Sequence, residues 1–304
     1  MPHDFDVLVV GELNADLILR GDVTPTFGQV EKLVDDATLT IGSSSAICAC
    51  GLARLGLRVA FVGKVGDDEF GRFMVRELAA RGIETQAIRV DPLLKTGLTV
   101  ILSHQRDNDR ALLTYPGSIA ALRYAEIELS LLPRARHLHL GSYFLLEALC
   151  PDVPALFEAA HRHGLTVSID TNYDPHEIWE AGEALHRADL FLPNEVELRS
   201  ITHVTNAEAA LHSLPIPTIA VKLGERGALA RRGGEIISAP SMPVTVVDTT
   251  GAGDSFDAGF IYAYLNQWSL AKSLRLATVC GSLSTRATGG TTAQATLSEA
   301  LVYL

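Results

Sequence analysis

Short, largely apolar runs recur along the chain at residues 7–10, 60–63, 138–140, 167–169, 190–192 and 218–221, and segments with helical spacing of apolar residues, 44–55, 69–80, 154–163 and 177–186, fall between several of them. Strands apolar on both faces suit a sheet covered by helices on both sides, and the strand–helix alternation supplies the crossovers that parallel strands need. The pattern predicts an α/β fold with a mainly parallel central sheet and helices on both faces. Two stretches break the alternation. Residues 15–40 hold no convincing helix, and 30–34 with 37–41 are expected to pair as strands across Asp35 and Asp36. Residues 98–103 and 111–114, separated by the polar 105–110, form a second expected antiparallel pair. Both pairs belong to a small β element beside the main sheet. No repeat or linker divides the rest, so a single domain over 1–304 is expected, with the β element drawn from about 15–40 and 98–114.

At 304 residues and 47% hydrophobic content the chain can bury one large core. Its formal charge of -11 argues against nucleic acid and anionic membranes as partners, because phosphate-rich surfaces are bound by basic patches. An anionic nucleotide would have to be met by local backbone donors and metal ions. Cys48, Cys50, Cys150 and Cys280 form neither a CxxC pair nor a Cys/His cluster, which fits a reduced, cytoplasmic protein without structural zinc. No basic start followed by an apolar stretch reads as a leader, and no apolar run approaches the ~20 residues of a membrane span.

The candidate chemistry is concentrated in Asp248-Thr249-Thr250-Gly251-Ala252-Gly253-Asp254, where a strand-like run breaks into small residues before a helix. Small residues let backbone N–H groups approach an anion, and the helix start adds its positive dipole end. An anion seat beside a carboxylate suits phosphoryl transfer: the N–H groups hold developing charge while Asp254 takes the proton of an attacking hydroxyl. The competing reading is a plain helix start that Asp254 caps.

This string resembles the signature of the ribokinase-like, or phosphofructokinase B type, carbohydrate kinases, and the resemblance runs from about Val7 to about Thr292. It implies an ATP- and Mg²⁺-dependent transfer of the γ-phosphoryl group to a sugar hydroxyl, with Asp254 as catalytic base and Gly251, Ala252 and Gly253 as anion hole. It also implies that the small β element is a lid over the sugar and a contact in a homodimer.

Gly11-Glu12-Leu13-Asn14-Ala15-Asp16 follows the first strand, at the end of the sheet where ligands of open α/β folds sit. Asn14 and Asp16 could close a turn or accept sugar hydroxyls; the resemblance favours the sugar. Gly42, Ser43 and Ser44 open the next helix as further candidate sugar contacts. The family pattern has a second glycine at Ser43 and an asparagine at Ile47, so this chain departs from it at both positions. Arg110 and Tyr115 are candidates for the sugar face, though a Pro-Gly turn with a packed tyrosine accounts for Tyr115 equally well. Asp170, Asn172 and Asp174 follow another strand at the same end.

On the nucleotide side, Asn194 and Glu197 have capping-box spacing, and in the resembled family the same Asn-x-x-Glu spacing organises Mg²⁺ through water. Gly224 and Gly227 shape a turn that lies along the nucleotide in that family, Lys222 or Arg226 supplies local positive charge, and Thr278 sits on the helix that lines the adenine pocket there. Asp248 and Thr250, with the loop 284–290, resemble a site for K⁺. A catalytically weak, sugar-sensing homologue of the same fold stays open because of Ser43 and Ile47. A nicotinamide dehydrogenase does not fit, since Gly-x-Gly-x-x-Gly is missing after the first strand.

Overall fold

The structure is a computed structural model that describes residues 3–104 and 110–304; the expected connection over 105–109, including Arg106, lies outside the described residues. The elements run, in chain order, β1 (Val7–Val10), β2 (Asn14–Gly21), β3 (Asp36–Ile41), α1 (Ser44–Arg54), β4 (Val59–Gly66), α2 (Glu69–Ala79), β5 (Ile88–Asp91), β6 (Gly97–His104) and β7 (Arg110–Tyr115). They continue with β8 (His137–Leu140), α3 (Val153–Arg162), β9 (Thr166–Ile169), α4 (Gly182–His186), β10 (Leu190–Phe191), α5 (Glu195–Thr202), α6 (Ala207–Ser213), β11 (Thr218–Lys222), β12 (Ala228–Arg232), β13 (Glu235–Ala239), α7 (Ala252–Leu265), α8 (Leu270–Ser284) and α9 (Leu297–Leu301).

The main sheet has nine strands in the order β13-β12-β11-β10-β9-β8-β1-β4-β5. All neighbours pair in parallel except β11 with β12 and β12 with β13. Two apolar layers sandwich this sheet. One packs Val7, Val9, Phe61 and Leu190 against α1, α7 and α8; the other packs Leu8, Val10, Leu138 and Phe191 against α3 and α5. Alternate residues of each central strand therefore serve opposite layers, which is why those strands read as continuous apolar runs.

Four further strands form a second sheet in the order β3-β2-β6-β7. The expected pairing of 98–103 with 111–114 is present, with Leu98 opposite Tyr115 and Ser103 opposite Arg110. The expected pairing of 30–34 with 37–41 is not. β3 instead lies antiparallel to β2, with Ala15 opposite Ile41 and Arg20 opposite Asp36, while residues 30–34 form no strand. The eight-residue β2, flanked by β3 and β6, builds a multi-strand sheet, whereas an isolated short hairpin would be marginal. The helix expected over 177–186 is also shorter, Gly182–His186. Before it, the Asp174 carboxylate accepts from the N–H groups of His176, Ile178 and Trp179 at 2.7–2.9 Å, and Glu177 and Trp179 take positive φ, so a side-chain-closed turn replaces the first helical turns. Among the described residues no helix is long and apolar enough to cross a membrane.

Candidate active site

The carboxyl ends of β1, β8, β9 and β11, the start of α1, the start of α7 and the second sheet enclose a cleft of about 870 Å³. Beside it lies a second opening of about 500 Å³. Lys222, Gly224, Thr249 and Gly253 line both, so the Thr249–Gly253 turn is the partition where the two openings meet.

The floor of the cleft is built on a buried carboxylate. Glu12, directly after β1, accepts from the Ser142 hydroxyl at 2.8 Å, from the Ser45 N–H at 3.3 Å and from the Ser45 hydroxyl. Burial pushes its carboxyl up, and these hydrogen bonds pull the other way. The Ser43 hydroxyl donates to the Glu12 carbonyl at 2.6 Å and accepts from the Ala46 N–H at 2.9 Å, capping α1. Asn172 donates to the hydroxyls of Ser44 and Ser142 at 3.1 Å each. Ser43, Ser142 and Asn172 have φ of 69°, 52° and 54°. Non-glycine residues held there cost about 1–3 kcal/mol each, and such strain clusters where a side chain must be aimed.

Asn14 donates to Asp16 at 2.9 Å and to Thr99 at 3.2 Å, so the first expected sugar contacts are braced against β6. A Cβ on Gly42 would lie 2.1 Å from Asp16 Oδ1 and 2.6 Å from Asn14 Nδ2, so only glycine lets this turn lie against them. Burial lifts the Asp16 carboxyl to about 7 against the opposing pull of Arg110. Strand alternation sends Arg110, Leu112 and Thr114 of β7 into the cleft, whereas Tyr115 is exposed and does not line it. That parity removes Tyr115 from the candidate sugar contacts.

Gly251 starts α7 with φ of 73° and no side-chain cap, and a Cβ there would lie 2.6 Å from Gly290 Cα. The helix start therefore keeps its N–H end uncovered by a side chain. Asp254 sits in the first turn of α7 and lines the cleft. Burial and then the Asp170 charge push its carboxyl up to about 8, while Lys222 and a hydrogen bond with Ser44 act to lower it.

Lys222 does not stand free in the nucleotide opening. Its Nζ lies 3.0 Å from Asp170 and 3.0 and 3.1 Å from the two Asp257 oxygens. Arg226 likewise pairs with Glu195. Asp170, Asp254 and Asp257 offer oxygens within 4.8 Å of one another, but the ammonium of Lys222 already occupies the position a cation between Asp170 and Asp257 would take. Asn194 and Glu197 form the expected reciprocal cap: the Glu197 N–H donates to Asn194 Oδ1 at 2.9 Å and the Asn194 N–H to Glu197 Oε2 at 2.8 Å. Both line the cleft, and burial raises the Glu197 carboxyl to about 7. Gly224, Gly227 and Thr278 line the second opening with Met242, Val244 and Phe256, an apolar-walled slot.

Asp248 is saturated. Its carboxylate accepts from the Gly289 N–H at 2.9 Å and from the Thr250 N–H and hydroxyl at 2.9 and 2.8 Å, and it faces Arg20 at 3.5 Å and Arg110 at 3.9 Å. Arg110 also donates to the Thr250 hydroxyl at 2.8 Å. Asp248 and Thr250 are thus brought together as expected, with two guanidinium groups beside the place where the resemblance implied K⁺.

The arrangement places an uncapped helix N-terminus and a base-like carboxylate on the wall between a polar cleft and an apolar slot. The model of the pfkB family carbohydrate kinases matches residues 4–297. The chain belongs to that family. This sugar kinase is 34% identical over 270 residues to a fructokinase of Klebsiella pneumoniae, covering 83% of this chain and 88% of the relative. It is 29% identical over 307 residues to a 5-dehydro-2-deoxygluconokinase of Geobacillus kaustophilus, covering 91% and 87%. Its fold matches a Vibrio cholerae fructokinase in a fructose-, ADP- and potassium-bound form with a TM-score of 0.82 and 25% identity, covering 100% and 99% of the two chains. The kinase also carries site residues that sequence reasoning left without a role: Glu12, Thr99, Ser142 and Asp257. Glu12 stood inside a segment already singled out, and Asp257 had as its signal only its place one turn after Asp254.

Proposed function

We propose that this sugar kinase transfers the γ-phosphoryl group of ATP to a hydroxyl of a neutral or singly acidic sugar, with Asp254 as general base. The observation that carries the reading is Asp254 in the uncapped first turn of α7, on the partition between the cleft and the slot. The sugar rests between Asn14, Asp16, Ser43 and Ser44, with Arg110 above it. The cleft lining supports the substrate class: Glu12, Asp16, Asp170 and Asp254 face it, and among the described residues its cations Arg110 and Lys222 lie against carboxyl groups, which disfavours a doubly charged sugar phosphate. Asp254 removes the proton from the attacking hydroxyl, and the N–H groups over Gly251, Ala252 and Gly253 stabilise charge on the transferred group.

The donor set fits the nucleotide and the metal. Gly224, Gly227 and Thr278 would hold ATP in the slot, and Asn194 with Glu197 would hold Mg²⁺ through water, where a buried carboxyl raised to about 7 gains most from a nearby cation. When bound, they supply the phosphoryl group and neutralise its oxygens. Potassium is not carried over from the fructokinase, because Asp248 is already matched by Arg20 and Arg110. The second sheet acts as the lid, and its outward Leu113 and Tyr115, both more than half exposed, support a homodimer through that face.

ADP release measured with ribose, fructose, 2-keto-3-deoxygluconate and fructose phosphates tests the reading. A neutral or singly acidic sugar is expected to drive turnover, and Asp254→Asn to lower kcat by at least ~10². Near-normal turnover in folded Asp254→Asn protein, or no sugar-dependent ADP release by the wild type, would sink it.

A further inference from the structure

We infer that Lys222 is a positioning residue which, clamped between Asp170 and Asp257, fixes the first turn of α7 and thereby aims Asp254 and the anion-hole turn. The inference builds on the reading of Asp254 as the base.

Three chain segments converge on this one ammonium. Lys222 ends β11, and its backbone N–H donates to the Pro193 carbonyl at 2.9 Å, next to the α5 cap. Asp170 follows β9 and accepts from the Asn172 N–H at 2.8 Å, so it belongs to the sugar floor. Asp257 lies three residues after Asp254 on α7 and so shares its helix face. The Lys222 stem runs beneath the anion-hole turn: a Cβ built on Gly253 would lie 3.4 Å from its Cδ and 3.7 Å from its Nζ. Because Gly251 gives α7 no side-chain cap, the start of the helix needs another anchor, and this clamp supplies one.

The charge arrangement agrees with a structural clamp. Burial works to raise the Asp170 carboxyl, but Lys222 and hydrogen bonds from Asp257 and from the Asn172 N–H outweigh it and hold it below its usual range. Burial, followed by the Asp170 charge, pushes the Asp257 carboxyl up against the opposing pull of Lys222. The clamp buries one ammonium against two carboxyl groups. Its ammonium is matched before any phosphate arrives, which separates the role from that of a phosphate ligand.

The test uses Lys222→Met, Lys222→Arg and Asp257→Asn in the full chain, with MgATP and whichever panel sugar the wild type turns over. Lys222→Met is expected to lower kcat at least ~10-fold while KM for MgATP and sugar moves less than ~3-fold; Lys222→Arg recovers part of the loss, and Asp257→Asn, which weakens one side of the clamp, lowers kcat in the same direction with KM again little changed. Amide hydrogen exchange over residues 251–256 is expected to quicken in Lys222→Met and, to a smaller degree, in Asp257→Asn. A Lys222→Met enzyme with wild-type kcat and exchange would overturn the inference. So would one whose KM for MgATP rises ~10-fold at unchanged kcat, since Lys222 would then be a phosphate contact. If Lys222→Met does not fold, Lys222→Arg decides: lowered kcat with unchanged KM supports the clamp, and wild-type kcat and exchange overturn it. A wild type without sugar-dependent ADP release whose Lys222→Met variant still exchanges faster would sink the proposed function and leave the clamp standing.

Discussion

At the scale of single residues, Asp254 in its proposed role of base faces two demands that pull apart. A general base must be ionised, yet burial and the neighbouring Asp170 charge push this carboxyl up to about 8. In the free enzyme kcat/KM is therefore expected to climb with pH through about 8, lying at pH 6 roughly 100-fold below its alkaline plateau. A profile flat from pH 6 to 9 would remove Asp254 from the role of base. The position of Asp254 was legible in the sequence because the whole string Asp248 to Asp254 is unlikely by chance, although the strand-like run expected just before it forms no strand. Its partners were not. Asp257 looks like any polar residue on a helix, and the left-handed backbone of Ser43, Ser142 and Asn172 follows from hydrogen bonds to Glu12 and between segments more than 30 residues apart in sequence, which no local pattern encodes.

At the scale of elements, the second sheet is tied by arginines to the loop that carries Asp248 and Thr250. Arg20 on β2 and Arg110 on β7 both reach Asp248, and Arg110 reaches Thr250 as well. These guanidinium groups of the second sheet stand beside the place where the sequence resemblance implied K⁺. Wild-type rates in K⁺ and in a large organic cation are accordingly expected to agree within ~2-fold, whereas Arg20→Met should lower kcat several-fold and make the rate rise with K⁺. A wild type that stalls without K⁺ would contradict this. The same sheet marks where element reading failed. Apolar residues over 30–34 suggested a strand, but Val30 and Leu33 are exposed; the edge that 36–41 needed was β2, which the pattern hid behind the candidate sugar segment. In the main sheet no such competition arose, because strands buried on both faces and separated by helices have few alternative partners.

At the scale of the molecule, the ionisable groups gathered at one end of the sheet make stability depend on pH. Asp16 titrates near 7 and Asp254 near 8 in the folded chain, against an ordinary aspartate value of ~3.9 when unfolded. Between those values the native state holds protons that the unfolded chain has released, so stability falls as pH rises through that window. Burial moves Glu12 and Asp257 the same way. His137 and His139, buried between β8 and β9 and hydrogen-bonded through Ser168, act oppositely: burial lowers them to about 3 and about 4, so the unfolded chain takes up protons that the native state refuses. That term operates only below the ordinary histidine value of ~6.5. Above it the slope from the raised carboxyls remains, and Tm of the ligand-free enzyme should fall between about pH 6.5 and 8.5. Asp254→Asn removes a carboxyl that titrates near 8 and should flatten the upper part of that fall. Scanning calorimetry of the two proteins across this window decides the matter: equal slopes would mean that Asp254 is not held protonated by its surroundings, and the rate profile assigned to it would lose its physical basis along with the slope.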